Sequence, residues 1–291
     1  MSRPSWNELR ARMERAGFRP SRRFGQNFLL DEGVCRDVVR IAGVGEGDRV
    51  LEVGVGLGFL TTHLLAAGAD VLGVEVDERL ATIAASWLEP RERLELVVAD
   101  ALAGKHALEP RVVDGLWREG DWHLVANLPY SIASPLVAEL VRTANPPASL
   151  TVLVQKEVAE RMCASAGERE WGALGARIAL THAGRVERAV PAALFRPRPK
   201  VDSAVCRLVR RDRPLASVSA TELTAYDRLV AHLFTQRRKK VRSPLADLAG
   251  GAPAADAWIS AAGLDRDLRV EDLDPAALAA LASAAPNFLG E

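Results

Sequence analysis

From about residue 48, short apolar runs alternate along the chain with longer amphipathic stretches. The apolar runs predict buried strands over residues 50–53, 71–76, 94–98, 124–126 and 150–154. The stretches between them have helical spacing and predict helices over residues 60–67, 78–88 and 135–143. Strands that alternate with helices build a mostly parallel sheet with helices on both faces, so we expect an α/β fold of the Rossmann type. Ligands of such folds bind at the carboxyl ends of the strands.

Beyond residue 177 the pattern becomes less regular, with Pro191, Pro197 and Pro199 close together. A last strand is predicted over residues 203–209, and the charged run 210–214 indicates a domain boundary. Helical spacing returns in residues 222–236 and 275–285. We therefore expect a large domain over residues 1–212 and a small, all-helical domain over residues 213–291.

The composition is that of an ordinary globular protein, since 48% of the 291 residues are hydrophobic and 26% are charged. No apolar run approaches the roughly 18 residues that cross a membrane, and the Arg-rich N-terminus lacks the apolar core of a secretory signal. The three cysteines stand far apart, with no paired spacing for zinc. These features predict a reduced, cytoplasmic protein with no metal, disulfide or membrane anchor.

A glycine-rich loop follows the first predicted strand, with glycine at positions 54, 56 and 58. Glycine lets a backbone approach a ligand closely and adopt positive φ. The spacing differs from the dinucleotide motif G-x-G-x-x-G, and no Lys-Ser/Thr pair follows as in a P-loop, so a pyrophosphate is not required. The loop therefore indicates either a nucleotide site or a tight turn between a strand and a helix.

Acidic residues end the next two strands, Glu75 on the second and Asp100 on the third. A carboxylate at the end of the second strand can accept both ribose hydroxyls of a nucleoside, and one at the third can accept from an adenine amine. The alternative for Glu75 is a surface carboxylate, and Asp77 competes for the same ligand role. The alternative for Asp100 is a helix N-cap. Together with the glycine loop, the two acids predict a site for an adenosine-containing cofactor.

The tetrapeptide Asn127-Leu128-Pro129-Tyr130 follows the fourth predicted strand. Pro129 keeps Leu128 out of helical geometry, so the Leu128 carbonyl can project into a pocket. That carbonyl and the Asn127 side-chain oxygen can accept the two hydrogens of an adenine amine, while Tyr130 offers a face for stacking. A flipped base needs a second aromatic face, for which Phe195 is the candidate, with core packing as its alternative. The two loops together predict methyl transfer from S-adenosylmethionine to a nucleic-acid adenine.

The net charge of zero conceals an uneven distribution of charge. Residues 1–40 carry 9 basic and 5 acidic side chains, and residues 185–244 carry 15 and 5. The segment 41–184 between them is acidic, with 12 basic and 20 acidic side chains. Basic segments of this kind form either solvated helix faces or a surface that attracts phosphates. Beside a base-handling motif, the second interpretation is favoured and a polynucleotide is the expected partner.

These residues together resemble the rRNA adenine N6-dimethyltransferase family, and within it the branch that acts on small-subunit ribosomal RNA. The resemblance runs from about residue 22 to residue 284. Several of the matching motifs are long and restricted to the family. They are Phe24-Gly25-Gln26-Asn27-Phe28-Leu29, the glycine loop 54–58, Val74-Glu75-Val76-Asp77, Asp100-Ala101-Leu102, residues 127–135, Gln155-Lys156-Glu157-Val158-Ala159-Glu160-Arg161, residues 195–205 and Gln236-Arg237-Arg238-Lys239-Lys240.

The resemblance implies a class I methyltransferase, with cofactor and catalytic sites in residues 1–212 and a helical RNA-binding domain in 213–291. Such enzymes dimethylate two adjacent adenosines in the 3′-terminal hairpin of small-subunit rRNA within an assembling subunit, and release S-adenosylhomocysteine. We expect a monomer. S-Adenosylmethionine is expected to contact Asn27, Leu29, Gly54, Gly56, Glu75, Asp100 and Asn127. Tyr130 and Phe195 would flank the target base. RNA phosphates are expected to meet Arg22, Arg23, Arg237, Arg238, Lys239, Lys240 and Arg242.

This chain departs from the family pattern at a few positions. Val55 stands where the family usually has Pro, and Ser131 and Ala133 replace the commoner Asn and Ser. Phe24 is also unusual for the small-subunit branch. Ser131 and Ala133 are expected to lie beside the target amine. These two departures therefore bear on how many methyl groups are transferred.

Other interpretations remain open on the sequence alone. The related family that methylates large-subunit rRNA and confers macrolide resistance is the nearest, although residues 195–205 and the cluster Arg237-Arg238-Lys239-Lys240 favour the small-subunit branch. Mitochondrial transcription factors on the same scaffold bind nucleic acid, with catalysis secondary. DNA adenine and protein glutamine methyltransferases use similar loops, but Leu128 stands in place of their first proline.

Overall fold

The computed structural model describes residues 4–18, 27–104, 107–115, 119–215 and 220–285. The strands in these residues are β1 (Phe28–Leu29), β2 (Arg49–Val53), β3 (Asp70–Glu75), β4 (Leu94–Val98), β5 (Leu102–Gly104), β6 (Ala107–Leu108), β7 (His123–Asn127), β8 (Ser149–Gln155), β9 (His182–Val190), β10 (Phe195–Arg196) and β11 (Ser203–Arg210). The helices are α1 (Trp6–Arg15), α2 (Glu32–Ala42), α3 (Phe59–Ala66), α4 (Glu78–Ala85), α5 (Pro110–Gly115), α6 (Ala133–Leu140), α7 (Lys156–Cys163), α8 (Ala173–Ala179), α9 (Ala220–Leu233), α10 (Arg242–Ala249), α11 (Ala252–Ala261) and α12 (Pro275–Ser283).

A seven-stranded sheet, in the order β4-β3-β2-β7-β8-β11-β9, forms the centre of the fold. The five strands from β4 to β8 in this order are parallel, and β11 runs antiparallel to β8. The chain moves outward from β2 through β3 to β4, then returns to the other side of β2 with β7. This reversal of strand order opens a crevice at the carboxyl ends of β2 and β7, which is where sheets of this type bind ligands. The predicted α/β class with a mostly parallel sheet is confirmed.

The predicted central strands exist because their apolar runs are buried in the sheet, whereas the edge strand β4 is only partly buried. In β8, for example, all residues from Ser149 to Val154 are buried. The helix boundaries differ by a few residues from the predictions. Helix α4 ends at Ala85 instead of residue 88, because the Ser86 hydroxyl donates to the Ile83 carbonyl at 2.7 Å and the backbone turns there. None of the described helices has both the length and the apolar character needed to cross a membrane.

The contacts divide the chain into two compact units. The first contains the residues up to Ala159 together with Arg185–Arg210, and the second contains Glu160–Gly184 together with the residues from Arg211 onward. The main division thus falls at Arg210, beside the predicted boundary at 212, and residues 160–184 are an addition to the second unit that was not predicted. Buried Trp171 explains the addition, because its indole N–H donates to the Leu273 carbonyl at 3.2 Å within the helical core.

Candidate active site

A cavity lies at the carboxyl ends of β2, β3, β4 and β7, where the sheet topology places a ligand crevice. Its wall collects every described residue for which a cofactor contact was predicted. The wall residues that bear on the chemistry are Asn27, Phe28, Leu29, Glu52, Gly54, Gly56, Glu75, Val76, Asp100, Ala101, Asn127, Leu128, Pro129 and Tyr130. One cavity therefore joins the glycine loop to the Asn127–Tyr130 loop.

The glycine loop needs glycine for its backbone conformation. Gly54, Gly56 and Gly58 have φ angles of +83°, +57° and +81°, a region that side chains with a Cβ atom rarely adopt. Val55, which departs from the family pattern, is 4% exposed. It packs over Gly73, because a Cβ atom added to Gly73 would lie only 2.8 Å from the Val55 Cγ2 atom. The valine is therefore seated in the core by a glycine on the neighbouring strand β3.

The Glu75 carboxylate is aligned by two backbone amides. Gly56 N–H donates to its Oε2 at 2.8 Å and Asp77 N–H donates to its Oε1 at 3.0 Å. Burial raises the pKa of Glu75, and these two amide bonds oppose the rise. The Asp77 carboxylate does not form part of the described cavity wall, because it accepts from the backbone N–H of Arg79 and caps α4. Of the two competing acids, Glu75 is the one that faces the ligand crevice.

Glu52 is a site residue that the sequence analysis did not single out. It lies on β2 among apolar neighbours, is 1% exposed and lines the cavity. Its Oε2 atom has no hydrogen-bond partner among the described residues. Burial, followed by repulsion from the Glu75 carboxylate, raises the pKa of Glu52 to about 8. The sequence did contain a signal for this residue, because Glu52 is a single acid inside the apolar run 50–53. Burial of an acid without a partner is costly, so such an acid indicates a ligand that supplies the partner.

Asp100 is exposed at the rim of the cavity. Its Oδ1 accepts from the backbone N–H of Leu102 at 3.1 Å, which leaves Oδ2 available to a ligand. The helix N-cap considered for Asp100 is not formed, because residues 102–104 are strand β5. The carboxylate instead closes a turn between β4 and β5, next to Val76 and Ala101 on the apolar part of the wall.

The side chain of Asn127 is oriented by the chain segment that precedes β1. Its Nδ2 donates to the Asn27 carbonyl at 3.4 Å. A carbonyl can only accept, so the amide nitrogen must face Asn27 and the side-chain oxygen is turned to the other side. The Leu128 N–H donates to Leu153 on β8 at 3.1 Å, and no described residue donates to the Leu128 carbonyl. Neither predicted acceptor of the amine hydrogens is therefore used by a residue that the structure describes.

The Tyr130 ring lies on the cavity wall with its hydroxyl fixed. Tyr130 Oη and Ser203 Oγ are 2.7 Å apart, and burial raises the pKa of Tyr130. Phe195, the second predicted aromatic, is 0% exposed and lies opposite Leu29 in the β1–β10 pair. Its ring cannot flank a base in this position, so the observed role is the core packing that was the alternative. It supports the strand that carries Leu29.

Comparisons with known proteins place this site in a family. The sequence profile described as ribosomal RNA adenine dimethylase matches residues 17–285. The chain belongs to this family. A ribosomal RNA small subunit methyltransferase A from Phenylobacterium zucineum is 41% identical over 284 residues, with 98% of this chain and 94% of the relative covered. One of the same name from Cutibacterium acnes is 39% identical, with 95% and 92% covered. The resemblance drawn from the sequence is confirmed.

Solved structures agree with the fold of an adenine dimethylase. The 23S rRNA methyltransferase ErmE superposes with a TM-score of 0.63 at 26% identity, covering 89% of this chain and 99% of its own. A dimethyladenosine transferase from Plasmodium falciparum superposes with a TM-score of 0.67 at 21% identity, covering 87% and 95%. The class I methyltransferase fold and the enzyme class are confirmed, and the family is one of methyl-transferring enzymes.

The basic residues that were predicted to contact RNA fall into two kinds in the second unit. Three are held by acids: Arg237 by Glu271 at 3.2 Å, Lys240 by Asp267 at 2.6 Å, and Arg242 by Asp256 at 2.6 and 2.9 Å. Arg238 and Lys239 are exposed, and their side chains contact no acid among the described residues. These two line a groove with Arg169, Phe234 and Thr235. Arg22 and Arg23 lie outside the described residues.

No group of three or more His, Cys, Asp or Glu residues in the described part of the chain is arranged to hold a metal ion. The three cysteines of this family member are free thiols, with Cys35 and Cys206 buried and Cys163 half-buried.

Proposed function

We propose that this enzyme transfers methyl groups from S-adenosylmethionine to the exocyclic amines of two adjacent adenosines in the 3′-terminal hairpin of small-subunit ribosomal RNA, in an assembling subunit. The observation that carries the proposal is the meeting of two loops in one cavity. The glycine loop and its acids make a nucleoside site, and Asn127 and Leu128 present two unused oxygen acceptors at the same cavity.

The donor set of the cavity fits S-adenosylmethionine. Glu75 keeps acceptor capacity on both oxygens beyond its two amide bonds, which suits the two ribose hydroxyls. Asp100 has a free oxygen for an adenine amine, and Val76 and Ala101 supply apolar surface beside it. The unpartnered Glu52 oxygen suits a cationic group of the ligand. When bound, the cofactor supplies a methyl group that is already activated by its sulfonium centre.

The chain's own contribution to the reaction is to hold the adenine amine. The Asn127 side-chain oxygen and the Leu128 carbonyl accept its two hydrogens, which leaves the nitrogen lone pair directed into the cavity. The Tyr130 ring supports the base, and Ser203 fixes that ring through its hydroxyl. The nitrogen loses a proton to solvent after each transfer, so no strong general base is needed. Orientation of this kind recovers roughly 7–11 kcal/mol of a barrier for well-aligned reactants.

The small-subunit substrate is favoured by the closeness of the relatives. The two proteins named for the small subunit are 41% and 39% identical over nearly the whole chain, whereas the 23S enzyme ErmE is 26% identical. The exposed pair Arg238 and Lys239, in its groove with Phe234, suits RNA phosphates and an unstacked base. We therefore place RNA binding of the second unit in this groove.

The proposal is tested by methylation of isolated ribosomal subunits that lack the mark. Purified protein and labelled S-adenosylmethionine are incubated separately with small and large subunits, and the modified positions are mapped by primer extension. We expect two adjacent adenosines near the 3′ end of small-subunit rRNA to be marked, and no mark on large-subunit rRNA. A mark confined to large-subunit rRNA would assign the chain to the other branch. Tight RNA binding without incorporation would make it a binding protein.

A further inference from the structure

The position of the Glu75 carboxylate depends on two chain segments, because each of its two oxygens accepts from a different one. Gly56 belongs to the glycine loop, whereas Asp77 begins the turn into α4. An error in the position of either amide would move the carboxylate relative to the cavity. The contacts that hold the Asp77 backbone in place are therefore as important for Glu75 as those that hold Gly56.

Asp77 is held by Arg79, which lies two residues further along the chain. The Arg79 guanidinium makes a two-point contact, with Nη2 to Oδ2 at 2.8 Å and Nε to Oδ1 at 3.1 Å. The backbone N–H of Arg79 adds a bond to Oδ1 at 3.0 Å. The contact with Arg79 lowers the pKa of Asp77, so the carboxylate stays ionised and keeps its geometry. A bidentate contact of this type gives directional control that a single exposed ion pair lacks.

Arg79 also contacts the N-terminal segment. Its guanidinium carbon lies 5.2 Å from the centre of the Phe18 ring, and Nη1 donates to the Gly17 carbonyl at 3.4 Å. Phe18 is 3% exposed and its ring centre lies 6.3 Å from that of Phe28. Phe28 in turn packs against the glycine loop, where a Cβ on Gly56 would lie 3.5 Å from its ring.

These contacts form a closed ring around one carboxylate. The ring runs through Glu75, Asp77, Arg79, Phe18, Phe28, Gly56 and back to Glu75. Phe18 and Phe28 are buried, whereas the Arg79 side chain is 50% exposed and is the only charged link between the N-terminal segment and the acid turn in this ring. Removing the guanidinium would open the ring without emptying the hydrophobic core.

We propose that Arg79 is a positioning residue for the cofactor site, which holds the acid turn and the N-terminal segment at Phe18 in the one arrangement that aligns Glu75 with the ribose of an adenosyl ligand. This inference rests on the proposed function, because Glu75 acts as a ligand only if the cavity binds such a cofactor. Arg79 does not itself line the cavity among the described residues, so its effect passes through Asp77 and Phe28.

The test is calorimetric binding of S-adenosylhomocysteine to the full chain and its variants. Arg79→Leu is expected to raise the dissociation constant about tenfold, the change that follows from the loss of about one hydrogen-bonded contact. Arg79→Lys keeps the charge over Phe18 but not the bidentate contact, so it should give a smaller rise. The matched control is Arg91→Leu, because Arg91 also contacts an acid two residues earlier, Glu89 at 3.2 Å, but neither residue is among the described residues that line the cavity. Its dissociation constant should equal that of the wild type.

The outcomes separate this inference from the proposed function. Wild-type protein that binds no S-adenosylhomocysteine refutes the cofactor site, and the role of Arg79 with it. Wild-type binding with an unchanged constant in Arg79→Leu, or an equal rise in Arg91→Leu, refutes the role of Arg79 alone. Adding Phe18→Leu to Arg79→Leu should raise the dissociation constant by less than the product of the two single fold-changes, since both residues act in one ring. If Arg79→Leu does not fold, Arg79→Lys decides the same question, and RNA affinity should be unchanged in it.

Discussion

Gly54 and Pro129 lie side by side on the cavity wall, although they are 75 positions apart in the chain. A Cβ atom on Gly54 would lie 3.1 Å from the Pro129 Cδ atom and 3.6 Å from the Asn127 carbonyl oxygen. The glycine loop and the Asn127–Tyr130 loop therefore pack against each other, with glycine as the residue that leaves room. This contact fixes the distance between the two halves of the proposed reaction.

Substitution of Gly54 by Ala should damage both stability and cofactor binding. The positive φ of +83° costs an alanine about 1–2 kcal/mol, and the added Cβ, 3.1 Å from the Pro129 Cδ atom, forces the two loops apart. Gly47→Ala is the control, because Gly47 has φ of +76° but nothing within 4 Å of an added Cβ. Urea unfolding should show a larger fall in the free energy of unfolding for Gly54→Ala than for Gly47→Ala. Calorimetry should show weaker binding of S-adenosylhomocysteine for Gly54→Ala only. Equal losses would mean that the contact is unimportant.

The bond between Tyr130 and Ser203 predicts coupling between their variants. Tyr130→Phe and Ser203→Ala should each lower kcat/KM about fivefold, because the free energy of a lost neutral hydrogen bond is about 1 kcal/mol. The double variant should be no slower than either single variant, since both remove the same bond. Tyr226→Phe is the control, as its hydroxyl bonds to the Ala176 carbonyl at 2.8 Å in the second unit. Tyr226→Phe should lower the free energy of unfolding and leave kcat/KM unchanged. If the fold-losses of Tyr130→Phe and Ser203→Ala multiply in the double variant, the bond does not position the ring.

The raised pKa of Glu52 predicts a dependence of stability on pH. In the unfolded chain the group has its ordinary pKa of 4.5, and in the folded protein its pKa is about 8. Between these values the folded state binds more protons than the unfolded state, so the free energy of unfolding falls as pH rises through this range. Glu52→Gln removes the titration and should be as stable as the wild type near pH 4.5 and progressively more stable relative to it up to about pH 8. Denaturant unfolding at several pH values measures this, and a constant difference would refute the shifted group.

The division of the basic residues predicts unequal effects on RNA binding. Arg238→Gln with Lys239→Gln should weaken binding and reduce the slope of log affinity against log salt by about 1.5, given roughly 0.7–0.9 for each phosphate contact. The matched pair is Lys240→Gln with Arg242→Gln, which removes the same charge from residues held by Asp267 and Asp256. That pair should change the salt slope less and lower the free energy of unfolding. If both double variants have the same slope of log affinity against log salt, the groove does not contact RNA.

The central sheet and the location of the site were predictable because they depend on short-range patterns. Each strand from β2 to β8 in the parallel part was visible as an apolar run, and the carboxyl ends of those strands meet at one edge by topology. Helices α1 and α2 were not predicted, although Ser5 with Glu8 forms a capping box and Asp31 caps α2. Helix α2 also has the apolar spacing of an amphipathic helix, with Val34, Cys35, Val38 and Ala42 buried, so the sequence did contain the information needed to predict it.

The features that the sequence did not predict depend on contacts between distant residues. Strand β9 mixes charged and apolar residues at the edge of the sheet, so it lacks the continuous apolar run of a central strand. Phe195 reads as an aromatic near the site, and only the β1–β10 pair shows that it packs behind Leu29. The pairing of Arg237 with Glu271 likewise joins residues 34 positions apart. No spacing rule connects such partners before the chain is folded.

The central claim is that Asn127 and Leu128 hold an adenine amine for methylation, and nucleoside mass spectrometry of the 3′-terminal hairpin tests it most directly. Unmethylated small subunits are treated with S-adenosylmethionine and with either wild-type protein or Asn127→Ala, with Asn145→Ala as a control whose amide donates to the Gly120 carbonyl away from the cavity. We predict N6,N6-dimethyladenosine at two adjacent positions with wild-type protein and with Asn145→Ala. Asn127→Ala should bind the subunits and yield none. Dimethyladenosine formed by Asn127→Ala at the wild-type rate, or no dimethyladenosine with wild-type protein, would contradict the account.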